Sequence, residues 1–234
     1  MYRELTQSRT EHIEQAKKHK ALVASSAAVP QSNSQTAQPL KIPGVTYHDI
    51  NFNGDAYSKS LLSQLTWPQY LKLISLMVVG KRTEGIAVLG ENVMRPRGLI
   101  GLALDSLAVC TAEVKEVFSV FSNPENYPLL IHCTQGKDRT GLTVMLALFL
   151  LGVPEEAIER DYMMSQERLV SERQERLEEI RAIGLDDSFA GCDEGMVDAV
   201  RGFLDGKGGV EAYLESCGVE KGMREGVKEL LGIR

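Results

Sequence analysis

The chain has 234 residues, 43% apolar and 25% charged, with 26 Lys and Arg against 32 Asp and Glu for a net charge of −6. That composition excludes a wholly disordered chain and predicts a single soluble domain over residues 1–234. No block of five or more basic residues occurs, which argues against a nucleic-acid or anionic-membrane surface built on net charge, and an anionic ligand needs a local positive site.

In chain order, residues 1–20 are polar with helical potential, and the start Met1-Tyr2-Arg3-Glu4-Leu5 lacks the apolar stretch of a signal peptide. Residues 24–39 carry no charge and are rich in Ser, Ala, Gln and Pro, which predicts a mobile surface loop. Val45 to Phe52 is β-branched and aromatic with an Asn-Gly turn signal behind it, and it reads as a strand containing His48. From Trp67 the pattern is helical, broken at Gly80, Gly90 and Pro96-Arg97-Gly98, so residues 67–98 form a helical insertion or lid. The run Tyr70 to Val79 is very apolar and is followed by Lys81-Arg82: it is a core helix or an interfacial helix whose basic end meets anionic headgroups.

Leu129-Leu130-Ile131 is a short, wholly apolar run of the kind found in a strand buried on both faces. Gly141 to Leu151 is apolar on nearly every side and predicts a buried helix, stopped by Gly152 with Pro154 opening the next. Pro154 to Ile183 is a charged amphipathic stretch with a solvated face, and short helical segments follow around 193–204, 209–216 and 220–231. No apolar run reaches the roughly 18–20 residues that span a bilayer, so no stable membrane span is expected and only peripheral lipid contact stays open. Cys110, Cys133, Cys192 and Cys217 form no CxxC pair, which predicts reduced thiols in a cytoplasmic protein.

The chemistry concentrates in Ile131-His132-Cys133-Thr134-Gln135-Gly136-Lys137-Asp138-Arg139-Thr140-Gly141, a Cys-x5-Arg loop entering a helix. Amides at a helix N-terminus make an anion nest, and phosphate is its natural guest. A cysteine in the same field has its pKa drawn from about 8.5 into the range of roughly 3.5–7.5. Arg139 has the planar fork that holds two phosphate oxygens, and Gly136 permits a tight turn. An ATP-type phosphate loop is excluded, because Ile131 and Asp138 stand where that motif needs Gly and Ser or Thr.

These residues resemble the signature loop of cysteine-dependent phosphatases, and the Gly-Lys-Asp-Arg form is similar to the atypical tyrosine/phosphoinositide phosphatase family of bacteria and fungi. Thr10-Glu11-His12, Arg95-Pro96-Arg97-Gly98-Leu99, Asp161-Tyr162-Met163 and Gly208-Gly209-Val210-Glu211-Ala212-Tyr213-Leu214 are similar to fungal members. The resemblance, with the strand–loop–helix reading, implies an α/β fold with a central, mostly parallel sheet flanked by helices, a helical insertion and a helical C-terminal region. It implies a phosphomonoester hydrolase acting through a phosphocysteine, a protein tyrosine or dual-specificity phosphatase acting on a phosphorylated protein or a phosphoinositide phosphatase, with no cofactor and no metal. Cys133 is then the nucleophile, Arg139 the transition-state clamp and Asp138 the general acid and base. Thr134, Gln135, Gly136, Lys137 and Thr140 bind substrate, Thr140 also assisting the sulfur, and His132 orients the loop. Asp105, 28 residues before Cys133, is the alternative acid, although its apolar setting suits a helix better than a mobile loop.

Leu5-Thr6-Gln7 stands where the family has Asp-Leu-Arg, and its preceding Asn-Phe-Arg-Asp strand is not found, so one or two N-terminal strands are expected to be missing or replaced. That keeps open a catalytically dead phospho-binding or scaffold protein derived from a truncated phosphatase. Redox sensing through Cys133 is chemically reasonable, but no second cysteine lies near it in sequence.

Overall fold

Residues 44–169 and 173–232 are described by the structure, a computed structural model. The readings placed on residues 1–20 and 24–39, and the matches at Leu5-Thr6-Gln7 and Thr10-Glu11-His12, lie outside them. The chain divides into two units at Tyr47, and the architecture below is that of the second, from His48 onward.

Its regular elements are α1 (Asp55–Ser63), α2 (Trp67–Val78), α3 (Arg82–Leu89), a π-helical turn (Gly90–Met94), α4 (Arg95–Val109), α5 (Thr111–Phe121) and a 3-10 turn (Pro124–Asn126). After the Cys133 loop come α6 (Arg139–Leu150), α7 (Glu155–Arg168), α8 (Arg173–Ala182), a 3-10 turn (Asp187–Ala190), α9 (Met196–Asp205), α10 (Val210–Ser216) and α11 (Lys221–Leu231). The expected α/β fold with a central parallel sheet is therefore wrong: among the described residues every regular element is helical and there is no strand. Residues 45–52 are irregular, and tight turns close from the Ile50 amide to His48 (3.2 Å) and from the Phe52 amide to Ile50 (3.0 Å). Leu129 to Ile131 have no regular structure and make no ladder hydrogen bond, with Leu130 88% exposed. A β-prone run becomes a strand only where a second run satisfies its backbone groups, and no described residue does so here.

Periodicity placed the helices well because most of them bury an apolar stripe. α4 packs against α1 and α9, α5 against α10 and α11, and α6 against α7, α10 and α11. Leu107, Val114, Phe118, Leu146, Val200, Leu214 and Val227 form the fully buried centre, each contributing roughly 1.5–3 kcal/mol by leaving water. The Tyr213 hydroxyl donates to the Leu107 carbonyl at 2.8 Å, tying α10 to α4 inside that core. α6 is buried nearly all round, as its composition predicts. It ends where Gly152 turns into the left-handed region at φ +71°, and the Val153 amide reaches back to the Leu148 carbonyl at 3.0 Å. The break predicted at Gly98 is real, since its φ of +64° kinks α4 near its start.

Candidate active site

The loop from His132 to Asp138 runs without regular structure into the first turn of α6. Gly136 sits in the left-handed region at φ +75°. That turn aims its amide at Cys133, donating to Sγ at 3.2 Å. Burial alone would raise the Cys133 thiol. The Thr140 hydroxyl and amide, the Gln135 amide and the Arg139 charge outweigh it and hold the thiol below its ordinary value. Thr140 Oγ1 is buried with no partner at hydrogen-bonding geometry, so a thiolate supplies the acceptor that hydroxyl lacks. The other cysteines are pushed the opposite way by burial, Cys110 up to about 12 with Glu113 adding to it. All four thiols are free.

Arg139, at the start of α6, donates from Nη2 to Thr134 Oγ1 at 2.9 Å. Its carbonyl accepts from the Thr143 hydroxyl at 2.9 Å, which fixes the first turn of the helix. No carboxylate among the described residues pairs with its guanidinium, so its remaining N–H groups are uncommitted to an acid. Lys137, expected at the phosphate, is 1% exposed, and its Nζ lies 2.7 Å from Asp138 Oδ1. Asp138 itself is half-exposed. Thr134 is exposed, and Gln135 and Thr140 are half-buried. The His132 ring is exposed, with Nδ1 3.4 Å from the Cys133 carbonyl oxygen. Asp105 lies on α4 with both carboxylate oxygens engaged by Arg97, Nε to Oδ2 at 2.9 Å and Nη2 to Oδ1. Among the described residues no three His, Cys, Asp or Glu side chains gather where they would hold a metal ion.

Three features beside the loop went unread in the sequence. A cavity of about 200 Å³ opens between α6 and α7, lined by Gly136, Thr140 and Gly141 on one side and Asp161, Tyr162 and Ser165 on the other. The Tyr162 ring packs against Gly141 so closely that a Cβ there would stand 3.2 Å from Cδ2 and Cε2. Burial pushes the Tyr162 phenol up, and Cys192 and Asp138 add to the effect. Cys192, remote from Cys133 in sequence, feels the charges of Lys137 and Asp138. Asp161-Tyr162 was visible only as a family match; nothing in its helical period marked it as facing the loop.

A sequence model of the tyrosine phosphatase family matches residues 30–232. Over 136 residues the chain is 34% identical to a tyrosine-protein phosphatase of Nostoc commune, covering 51% of this chain and 44% of that protein. Over 57 residues it is 40% identical to a protein of Cupriavidus necator named "Putative tyrosine-protein phosphatase", covering 24% of this chain and 21% of that protein. The chain thus spans under half the length of either relative. The match over residues 30–232 takes in the Cys133 loop and the helices that carry it, and with it the chain belongs to the tyrosine phosphatase family.

Proposed function

We propose that the chain is a cysteine-dependent phosphomonoester hydrolase, of the atypical bacterial and fungal type, that acts on phosphotyrosine or a phosphoinositide. The observation that carries this reading is the lowered Cys133 thiol, stabilised by the Gly136 amide, Thr140 and Arg139 within one loop. The Cys133 thiolate attacks phosphorus, forming an S–P bond as the P–O bond to the leaving group breaks. Arg139 and the loop amides hold the equatorial oxygens, an arrangement in which losing one donor costs about 2.7–4 kcal/mol in other enzymes. Asp138 gives its proton to the leaving oxygen and then takes one from the water that attacks the phosphocysteine, releasing phosphate and restoring the thiolate. Lys137 engages one oxygen of Asp138, whereas Arg97 occupies both of Asp105, and this favours Asp138 as the acid.

The test is phosphate release from a phosphotyrosine peptide and from a phosphoinositide panel in reducing buffer. Cys133→Ser is expected to abolish release. Asp138→Ala is expected to slow turnover of an alkyl phosphate strongly, and Asp105→Ala to spare it; the reverse pattern assigns the acid to Asp105. A second reading, phosphate binding without turnover, is favoured by the unpaired approach to the loop at Leu129 to Ile131. A folded wild type that binds phosphate and releases none from any substrate establishes that reading instead.

A further inference from the structure

The face of α2 turned away from the rest of the helical unit is apolar and uncovered. At 100° per residue, Trp67, Tyr70, Leu71, Ile74 and Val78 fall on one stripe, and all are exposed, Trp67 at 77% and Val78 at 82%. The opposite side is well anchored. Leu73 is buried, Met77 packs against Gly85 of α3, and Gln69 bonds both the Thr66 amide (2.9 Å) and Asn92 Oδ1 (2.7 Å). The stripe is therefore displayed by a fixed helix.

We propose that this stripe docks onto the surface of an anionic lipid bilayer. Charge argues for that occupant over a second copy or an ordinary protein partner. Residues 56–83 contain Lys59, Lys72, Lys81 and Arg82 and not one Asp or Glu, in a chain that carries 32 acidic residues and a net charge of −6. In a two-fold contact between copies the same basic segment would face itself and repel, whereas an anionic headgroup layer attracts it. Lys81 and Arg82 follow the last turn of α2. Among the described residues Lys81 pairs with Glu84 at 3.5 Å, both side chains more than half exposed, a pair weak enough to exchange for a lipid phosphate. Trp67 and Tyr70, edge to face at 6.3 Å, are the amphipathic rings that settle at the headgroup level. An interfacial helix lies in the plane with its apolar face down and needs no membrane-spanning length. This inference is independent of catalysis at Cys133.

Trp67 is the chain's single tryptophan, so its emission reports directly on the stripe. The 234-residue protein is mixed with phosphatidylcholine vesicles, with or without phosphatidylserine, and followed by fluorescence and flotation. The expected result is a blue shift and flotation with the serine lipid alone, both reversed by added salt. Lys81→Gln and Arg82→Gln are each expected to weaken partitioning about fivefold. Leu71→Glu with Ile74→Glu removes it while far-UV circular dichroism stays unchanged. Absence of any shift or flotation by the wild type overturns the proposal. So does flotation indifferent to lipid charge and salt, or an emission already blue in buffer that reddens on dilution, which shows a second copy covering the face. The salt and lipid comparisons use the wild type and stand whatever the variants do.

Discussion

Cys133 owes its character to groups within seven residues of it in sequence, which is why its chemistry was legible before its surroundings were known. With its pKa held below the ordinary value, the thiolate fraction rises as pH climbs through that lowered pKa and is complete at lower pH than for a free cysteine at about 8.5. Alkylation by iodoacetamide is therefore expected to show a lower midpoint at Cys133 than at an ordinary cysteine, and Arg139→Ala to move it upward; an unshifted midpoint in the wild type refutes the assignment. Gly136 is the second sensitive position. Nothing stands within 4 Å of an added Cβ, but φ is +75°, so Gly136→Ala costs roughly 1–2 kcal/mol through the backbone alone. Because that turn aims the amide at sulfur, the same variant raises the alkylation midpoint. Lys137 shows what residue identity leaves open. Its charge is written in the sequence, but its burial against Asp138 depends on where α6 and its neighbours put the loop.

At the scale of elements, the α6–α7 contact governs how firmly the loop is seated. Gly141 lets the Tyr162 ring approach α6, and this closeness is unusually easy to test. Gly141→Ala forces a shift of a few tenths of an ångström, with an expected cost of about 1–3 kcal/mol and a fall in turnover from the disturbed first turn. Adding Tyr162→Ala removes the obstacle, so the two losses, measured by urea unfolding, are expected to be non-additive. Strict additivity would mean that the ring does not seat the helix. Leu146, 1% exposed in the middle of α6, is expected to cost 2–5 kcal/mol as Leu146→Ala by leaving a cavity, at about the usual core value. Helix boundaries were legible because caps and stops are local: Gly152 and Pro154 delimit α6 and α7 through their own backbone constraints. The strand expected at residues 129–131 was not decidable in the same way, since its hydrogen bonds belong to a partner chain segment rather than to itself.

Across the whole molecule, on the proposed reading, the net charge of −6 repels phosphorylated substrates except at the loop. Raising ionic strength from about 0.01 to 0.15 M shortens the screening length from roughly 30 to 8 Å. It removes the diffuse repulsion and would leave the close contacts proposed for Arg139 largely intact. The KM for a small aryl phosphate is therefore expected to fall or stay level with salt, and a steep rise would show that dispersed surface cations bind the substrate instead.

What the sequence determined by itself was whatever depends on neighbours along the chain: the helices, their stops, the Cys-x5-Arg loop and the family it resembles. Each rests on hydrogen bonds and apolar periods that close within a few residues. Only the tertiary structure decided the absence of a sheet among the described residues, the pairing of buried Lys137 with Asp138, the Tyr162 wall beside the loop and the bare apolar face of α2. Those outcomes are set by burial and by partners distant in sequence, and the free energy of a strand, a buried cation or an exposed stripe is fixed by what packs against it rather than by its own residues.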